Sequence, residues 1–496
     1  RPVSAGLLSV LRQGNSFLEP SAAREANLDA LAEPGTVAVL TGQQAGLFLG
    51  PLFTIYKALS AVAACAALTK ECGVRAVPVF WLQTEDHDFE EIRKTFVQDR
   101  DSTLIKLELL AAQPDPRCSV EYRILGGEVL QLHEVLREHL GHLPHAPEML
   151  GRLAQCYCPG AALSSAFASF LAYLTARFGL VFFNPRWPGA AKLFQPVYLA
   201  AWERREEFAA VLKHQEILLK EHNLVPQVRL VENSPLFFMH NKSGEGARCR
   251  LLAQGSHWVL SGTGETASAA EVRAQLEDAP ERFSSSALLR PLVQDSIFPS
   301  AVYIAGEAEM RYFVQILPLY DALLLPRPLV APRASFCLVE EKVRRWCGEL
   351  GIKPAQVRLP APALQAILAE HSARRLPAPA KLEQQTIDAL NEALLPLQSA
   401  CSALDPTLVN SLGKTKEKAR HLIHTAVERY GAALINSNSV ARQRMDKLRT
   451  LLYPGDEPQE RRHSALYFLC RFGAGFVERI VEEIEPFSAG EKELAL

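Results

Sequence analysis

The segment from Thr36 to Asp88 constrains the fold more than any other stretch of the chain. Thr36–Leu40 (T-V-A-V-L) and Ala76–Leu82 (A-V-P-V-F-W-L) are short apolar runs. Runs of this kind, without polar alternation, read as strands buried on both faces. Between them Gly50-Pro51 opens an Ala- and Leu-rich stretch reaching about Thr69, with proline suited to a first helical turn. Strand, loop, helix and strand in that order form the opening unit of a parallel, doubly wound α/β sheet.

Further along, from Lys94 to about Tyr122, K-T-F-V-Q-D, T-L-I-K-L-E-L and S-V-E-Y-R-I-L suggest an antiparallel insertion. Helical periodicity returns at Leu130–Leu140 and Ala161–Arg177, and Leu180–Phe183 reads as a third sheet strand. A helical stretch from Ala190 to Glu221 precedes a second β-rich insertion, Gln227–Leu260, and Ala301–Ala305 and Leu329-Val330 complete the expected sheet. The last third reads as helices: Lys381–Cys401, Thr407–Leu434, Val440–Leu452 and Gln459–Glu485. Asp405-Pro406 is an N-cap followed by a first-turn proline, so the first two should form an antiparallel hairpin, locally weakened at Pro396. The expected division is core at 1–93, 161–226 and 283–375, insertions at 94–160 and 227–282, a helical arm at 376–452, and a closing helix at 453–496 that folds back on the core.

With 496 residues the chain needs more than one core. The formal charge of −2, from 53 basic and 55 acidic side chains, offers no basic excess for nucleic acid. The longest apolar run, Ala58–Leu68, is too short for a bilayer. Ten scattered cysteines, none in a C-x-x-C, read as reduced thiols of a cytoplasmic protein.

Three places can carry chemistry. Thr41-Gly42-Gln43-Gln44-Ala45-Gly46 and Gly50 surround the entry to the first helix, and Lys57 lies about two turns into it. Glycines there let backbone approach a ligand, although a well-packed turn fits the same residues. This is neither a P-loop nor G-x-G-x-x-G. Glu85-Asp86-His87-Asp88 follow a buried strand, where α/β proteins bind ligands. They offer a general base, ammonium recognition or Mg²⁺ ligation. Arg290, Gln294 and Asp295, then Gly306, Glu309 and Tyr312, form a third rim, with Arg333 and Ser335 as a phosphate clamp and cap. His421 and His424, three apart on a helix, read as solvated rather than metal-binding.

T-G-Q-Q-A-G-L-F-L-G-P-L-F-T-I-Y-K and P-V-F-W-L-Q-T-E-D-H-D-F-E-E-I together resemble the bacillithiol-synthesis cysteine-adding family, BshC. R-P-L-V-Q-D-S-I-F-P-S, A-G-E-A-E-M-R-Y-F, A-P-R-A-S-F and Y-P-G-D-E-P-Q-E-R-R match its other blocks, in order over essentially the whole chain. The resemblance implies a Rossmann-like, nucleotidylyltransferase-type core with two β-containing connecting insertions and a C-terminal α-helical coiled-coil domain that mediates homodimerisation. It implies a ligase adding L-cysteine to glucosaminyl-malate, with ATP expected by analogy to class I aminoacyl-tRNA synthetases and Mg²⁺ as its companion. On that reading Asp86, His87 and Asp88 are catalytic. Gln43, Gln44, Gly46, Lys57, Glu85, Arg290, Gln294, Asp295, Gly306, Glu309 and Tyr312 bind substrate, and Thr41, Gly42, Gly50, Arg333 and Ser335 bind nucleotide. H-I-G-H and K-M-S-K-S are absent, Gly306-Glu307 stands where the family has a glycine-proline pair, and no zinc site is evident. Nucleotidyl transfer to another acceptor, or a nucleotide-binding scaffold without catalysis, remain alternatives, and neither membrane nor nucleic acid is an expected partner.

Overall fold

The computed structural model describes residues 2–110, 117–241, 247–372, 376–436 and 439–496. Two compact units are present: residues 1–100, 104–335 and 460–491 form one, and 101–103, 336–459 and 492–496 the other.

The first unit carries strands β1 (Val37–Gln43) and β2 (Ala76–Leu82), the hairpin β3 (Lys94–Gln98) and β4 (Leu104–Glu108), then β5 (Val181–Phe183). Next come β6 (Phe237–His240), β7 (Arg248–Gln254), β8 (His257–Leu260), β9 (Thr266–Ser268) and β10 (Phe283–Ser285), followed by β11 (Ser300–Ala305) and β12 (Leu329–Pro332). The central sheet has the order β12-β11-β1-β2-β5 and is parallel throughout. Both its faces are covered, as the unbroken apolar strands require. Ala38 and Leu40 of β1 join the large core on one side, while Val39 joins Ala61, Ala64 and Ile304 on the other. The second insertion is an antiparallel sheet, β10-β6-β7-β8-β9.

Several expectations change. β1 runs to Gln43, so Thr41 and Gly42 lie within a strand rather than a loop. The third segment of the first insertion is a 3₁₀ turn, Val120–Tyr122, not a strand; residues 111–116 lie outside the described set. Ala146–Cys156, unremarked in the sequence, is a helix of that insertion. The single closing helix is instead three, Gln459–Arg462, Leu466–Phe472 and Gly475–Glu483, and Gly473 takes a φ of 67° between the last two. There Leu52 N–H donates to His463 O at 2.7 Å and Ser464 N–H to Phe96 O at 2.7 Å.

The helix Ala5–Asn15 closes an edge. Asn15 Nδ2 donates to Phe182 O at 2.9 Å, and Phe182 N–H donates to Asn15 Oδ1 at 3.1 Å. One carboxamide thereby stands in for a neighbouring strand beside β5.

The second unit contains β13 (Ser335–Val339) paired with β14 (Glu491–Ala495) and a small core around Val339, Val357, Leu448 and Leu452. Its arm is the helix Pro379–Leu404, continuous through Pro396, turning at Asp405 into Pro406–Asn436. Asp405 accepts from Thr407 N–H at 2.8 Å, and His424 meets Glu383 at 2.9 Å, which fixes the two helices antiparallel.

The chain leaves β1 for β2 and β5 on one side and returns to β11 and β12 on the other, so the sheet's switch point lies between β1 and β11. Lys57, buried on the helix Phe53–Cys72, fills that crevice. Its Nζ lies 2.5 Å from Glu309 Oε2 and donates to Gly42 O at 2.8 Å and Gln43 Oε1 at 3.1 Å. An ammonium has three N–H groups, and these partners use all of them. Tyr303 OH and Gly306 N–H donate to the same Glu309 carboxylate, at 2.8 and 2.7 Å. Burial pushes the Glu309 carboxyl up, but Lys57, Gly306 N–H and Arg290 outweigh it and hold the group below the usual carboxylate range.

Removing one member of a buried pair leaves an uncompensated charge, at a cost of about 3–5 kcal/mol. Lys57→Met is therefore expected to lower the unfolding free energy of the first unit by roughly that amount in urea titrations; an unchanged midpoint would show that the pair holds nothing together. A second buried carboxyl, Asp295, accepts from Tyr320 OH at 2.6 Å, and burial pushes it up from 3.8 to about 6. Between pH 3.8 and about 6 the folded state then binds more protons than the unfolded state, so this group's share of stability is present below 3.8 and lost as pH rises through 6. Asp295→Asn keeps an acceptor for Tyr320 and is expected to flatten that slope in unfolding curves taken across the window.

Candidate functional site

The loop after β1 is packed rather than open. Thr41 is fully buried and its hydroxyl donates to Ile304 O at 2.9 Å. A Cβ at Gly42 would come within 2.8 Å of Trp81 O, so glycine is needed there for strand packing. Phe48, Leu49 and Gly50 have φ of 51°, 69° and 66° in succession. Tyr157 pins this unusual turn by donating to Gly46 O and accepting from Leu49 N–H, both at 3.1 Å. The residues expected to cradle a nucleotide here are thus committed to packing, and Lys57 has no N–H left for a ligand.

At the end of β2 the polar run forms a different surface. Asp86 Oδ2 accepts from Gln44 Nε2 at 2.9 Å, Oδ1 accepts from His87 N–H at 2.7 Å, and Arg248 Nη1 lies 3.6 Å from Oδ1. Burial opposes ionisation of Asp86, but Arg248 and these hydrogen bonds prevail and lower its pKa. His87 is depressed by burial and by Arg248, which favours neutral imidazole. Asp88 accepts from Glu91 N–H at 3.3 Å, capping the short helix Phe89–Ile92. Glu85 is 5% exposed; its Oε2 accepts from Ser285 N–H at 3.1 Å, and its Oε1 is buried without a hydrogen-bond partner among the described residues.

Of these, Glu85, Asp86 and Arg248 line a pocket of about 220 Å³ between the end of β2 and the second insertion. Four guanidiniums, Arg229, Arg248, Arg250 and Arg290, face two carboxylates, Glu85 and Asp86, leaving a cationic excess. Arg248 is held by Ser284 Oγ at 3.0 Å and Ser285 O at 2.5 Å, and Arg290 by Tyr312 OH at 2.5 Å. Arg248 and Arg250 both stack on Phe238, at 3.9 and 4.7 Å from its ring centre. Among the described residues neither Arg229 nor Arg250 has a carboxylate or hydrogen-bond partner for its guanidinium. Burial without a counter-charge depresses Arg250, so an anion entering the pocket would relieve that cost.

The pocket thus unites Glu85, Asp86 and Arg290 of the expected site residues. Gln294 and Asp295 are placed elsewhere, 1% and 2% exposed, so they do not form the rim expected of them. Arg333 is taken by Glu460 at 2.6 and 2.8 Å and is no free phosphate clamp, while Ser335 is half-buried at the start of β13. Gly306, Glu309 and Tyr312 belong to the buried network around Lys57 and Arg290. The insertion arginines were missed because that segment reads only as strand. The signal was present as Arg248-Cys249-Arg250, whose alternation sets two cations on one strand face. Among the described residues no three His, Cys, Asp or Glu side chains converge to hold a metal ion, and no helix is long and apolar enough to cross a membrane. None of the ten cysteines is in a disulfide.

Comparison with known proteins accords with this layout. The family described as "Bacillithiol biosynthesis BshC, N-terminal Rossmann-like domain" matches residues 2–334, and "Bacillithiol biosynthesis BshC, C-terminal coiled-coil domain" matches 336–493. A relative from Solibacter usitatus named "Putative cysteine ligase BshC" is 32% identical over 92% of this chain and 84% of its own length. One of the same name from Salinibacter ruber is 30% identical over 91% and 81%. Among solved structures, a Campylobacter jejuni chain described as a "putative arginyl t-RNA synthetase" aligns over 95% of this chain and 99% of its own. Its identity of 10% and TM-score of 0.23 are too low to speak for a shared fold. With both domain families matched in order along nearly its whole length, the chain belongs to the BshC family of bacillithiol biosynthesis.

Proposed function

We propose that this protein is a ligase that forms an amide between the carboxyl of L-cysteine and the amine of glucosaminyl-malate, completing bacillithiol. The names of its relatives support the cysteine-ligase class. The observation that carries the substrate is the pair of guanidiniums, Arg229 and Arg250, unpartnered among the described residues, in a pocket that also holds carboxylates. Malate brings two carboxylates, which guanidiniums bind by charge-assisted hydrogen bonds. A free carboxylate does not acylate an amine in water without activation, so ATP is the proposed co-substrate, with Mg²⁺ accompanying its phosphates and an adenylate as the activated form. The proposed location is the cytoplasm.

The helical arm carries the proposed homodimer contact. Leu395, Leu404 and Leu422 are 58%, 81% and 68% exposed on its two helices, more apolar surface than a solvated hairpin needs. Sedimentation equilibrium is expected to give a dimer mass for the wild type and a monomer for Leu404→Glu/Leu422→Glu. A monomeric wild type would discard the contact.

The deciding assay gives purified protein both substrates, with and without Mg²⁺-ATP, and follows the thiol product by mass spectrometry. Product together with AMP, only when ATP is present, is the expected result; product without ATP would discard the adenylate. Arg250→Ala and Arg229→Ala should each raise KM for the malate conjugate roughly 10- to 100-fold, as loss of a hydrogen bond to a charged group predicts. Their KM for cysteine should not change, and an unaltered KM for the conjugate in both would remove the arginines from the substrate site.

A further inference from the structure

Four adjacent polar residues end β2, and three of them are already occupied. Asp86 has both oxygens committed, to Gln44 and to His87 N–H beside Arg248. Asp88 caps a helix, and His87 sits against Arg248, with Nη1 3.4 Å from its Nδ1. Among the four, Glu85 alone combines one anchored oxygen with a second that is buried and unpaired among the described residues. Ser285 N–H holds Oε2, which fixes the carboxyl group, while Oε1 is buried with no partner among the described residues. Trp81, in the same pocket lining, is 1% exposed and its Nε1–H is likewise without a partner. Unsatisfied buried groups are rare in folded proteins and costly. An orphan acceptor and an orphan donor lining one pocket point to a ligand that offers both a donor and an acceptor.

We infer that Glu85 is the catalytic residue that takes the proton from the acceptor amine, an assignment that rests on the ligase reading above. The amine nitrogen attacks the carbonyl carbon of cysteine activated as a mixed anhydride with a nucleoside phosphate. The C–N bond forms, the C–O bond to the phosphoryl group breaks, and the nucleoside monophosphate leaves with that electron pair. The proton shed by nitrogen passes to Glu85 Oε1.

The groups around Glu85 suit this task. Arg186 follows β5, Arg248 lies on β7, and Arg290 begins the helix Arg290–Ile297. Tyr198, on the helix Ala190–Glu203, meets Ser285 Oγ at 3.0 Å. Burial pushes the Glu85 carboxyl up, and the three guanidiniums and Ser285 N–H hold it back without cancelling the rise. A raised carboxylate is a stronger base at neutral pH and is still largely ionised if its pKa lies below the working pH. Turnover should therefore climb with pH as Glu85 loses its proton.

Glu85→Gln keeps an acceptor for Ser285 N–H but cannot take a proton. It is expected to lower kcat about 10²- to 10³-fold, with KM for both substrates nearly unchanged, and to erase the acidic limb of the kcat–pH profile. Glu85→Asp should keep that limb at a reduced rate. Wild-type kcat in Glu85→Gln, with the limb intact, would overturn the assignment while leaving the ligase reading standing. A wild type that makes no amide overturns both. If Glu85→Gln fails to fold by circular dichroism, the wild-type profile decides, and kcat that does not fall on the acidic side rejects Glu85 as the base.

Discussion

A single buried ion pair, Lys57 with Glu309, organises the centre of the sheet. It joins the helix after β1 to the helix after β11 at the place where strand order reverses. Charges removed from water survive there only because each has a full set of partners: three acceptors for the ammonium, and Tyr303 OH and Gly306 N–H for the carboxylate. In open α/β sheets the crevice at such a reversal commonly receives a ligand. Here side chains already occupy it. The open cavity lies one strand over, against β2, where the second insertion supplies a wall and most of the positive charge.

That wall is fastened by a device that recurs elsewhere among the described residues. Gln315 Oε1 accepts from Val228 N–H at 3.2 Å, and its Nε2 donates to Val228 O at 2.8 Å, tethering the irregular stretch that carries Arg229. Gln459 treats Leu338 in the same way, accepting its N–H at 2.8 Å and donating to its O at 3.2 Å. Asn15 does so for Phe182. A carboxamide has the donor and acceptor of a peptide group, so it can satisfy an exposed backbone pair without another strand. A wall held this way keeps its position without contributing a regular element for the sequence to announce.

This explains what could be read in the residues and what could not. Period and composition revealed β1, β2, β5 and the long arm helices, because their apolar residues answer to local rules. Thr41 and Gly42 looked like a loop because glycine usually breaks strands, whereas close packing against Trp81 is what demands it. The polar end of β2 was legible as a candidate from its position alone, and Glu85 and Asp86 do line a pocket. Which of its four members keeps a buried, unpaired oxygen was not, because that depends on Arg248 and Ser285, both far away in sequence. Asp295 and Arg333 looked like ligand groups for the opposite reason: their partners, Tyr320 and Glu460, are supplied by tertiary packing.

Asn15 lies 167 residues ahead of the backbone group it covers. Chain order therefore puts the covering residue ahead of the strand it covers, and the backbone N–H and C=O of Phe182 on the outer edge of β5 meet a carboxamide rather than a sixth strand. In the finished fold the first helix thus leaves no free backbone pair at Phe182 for a strand of another copy to join.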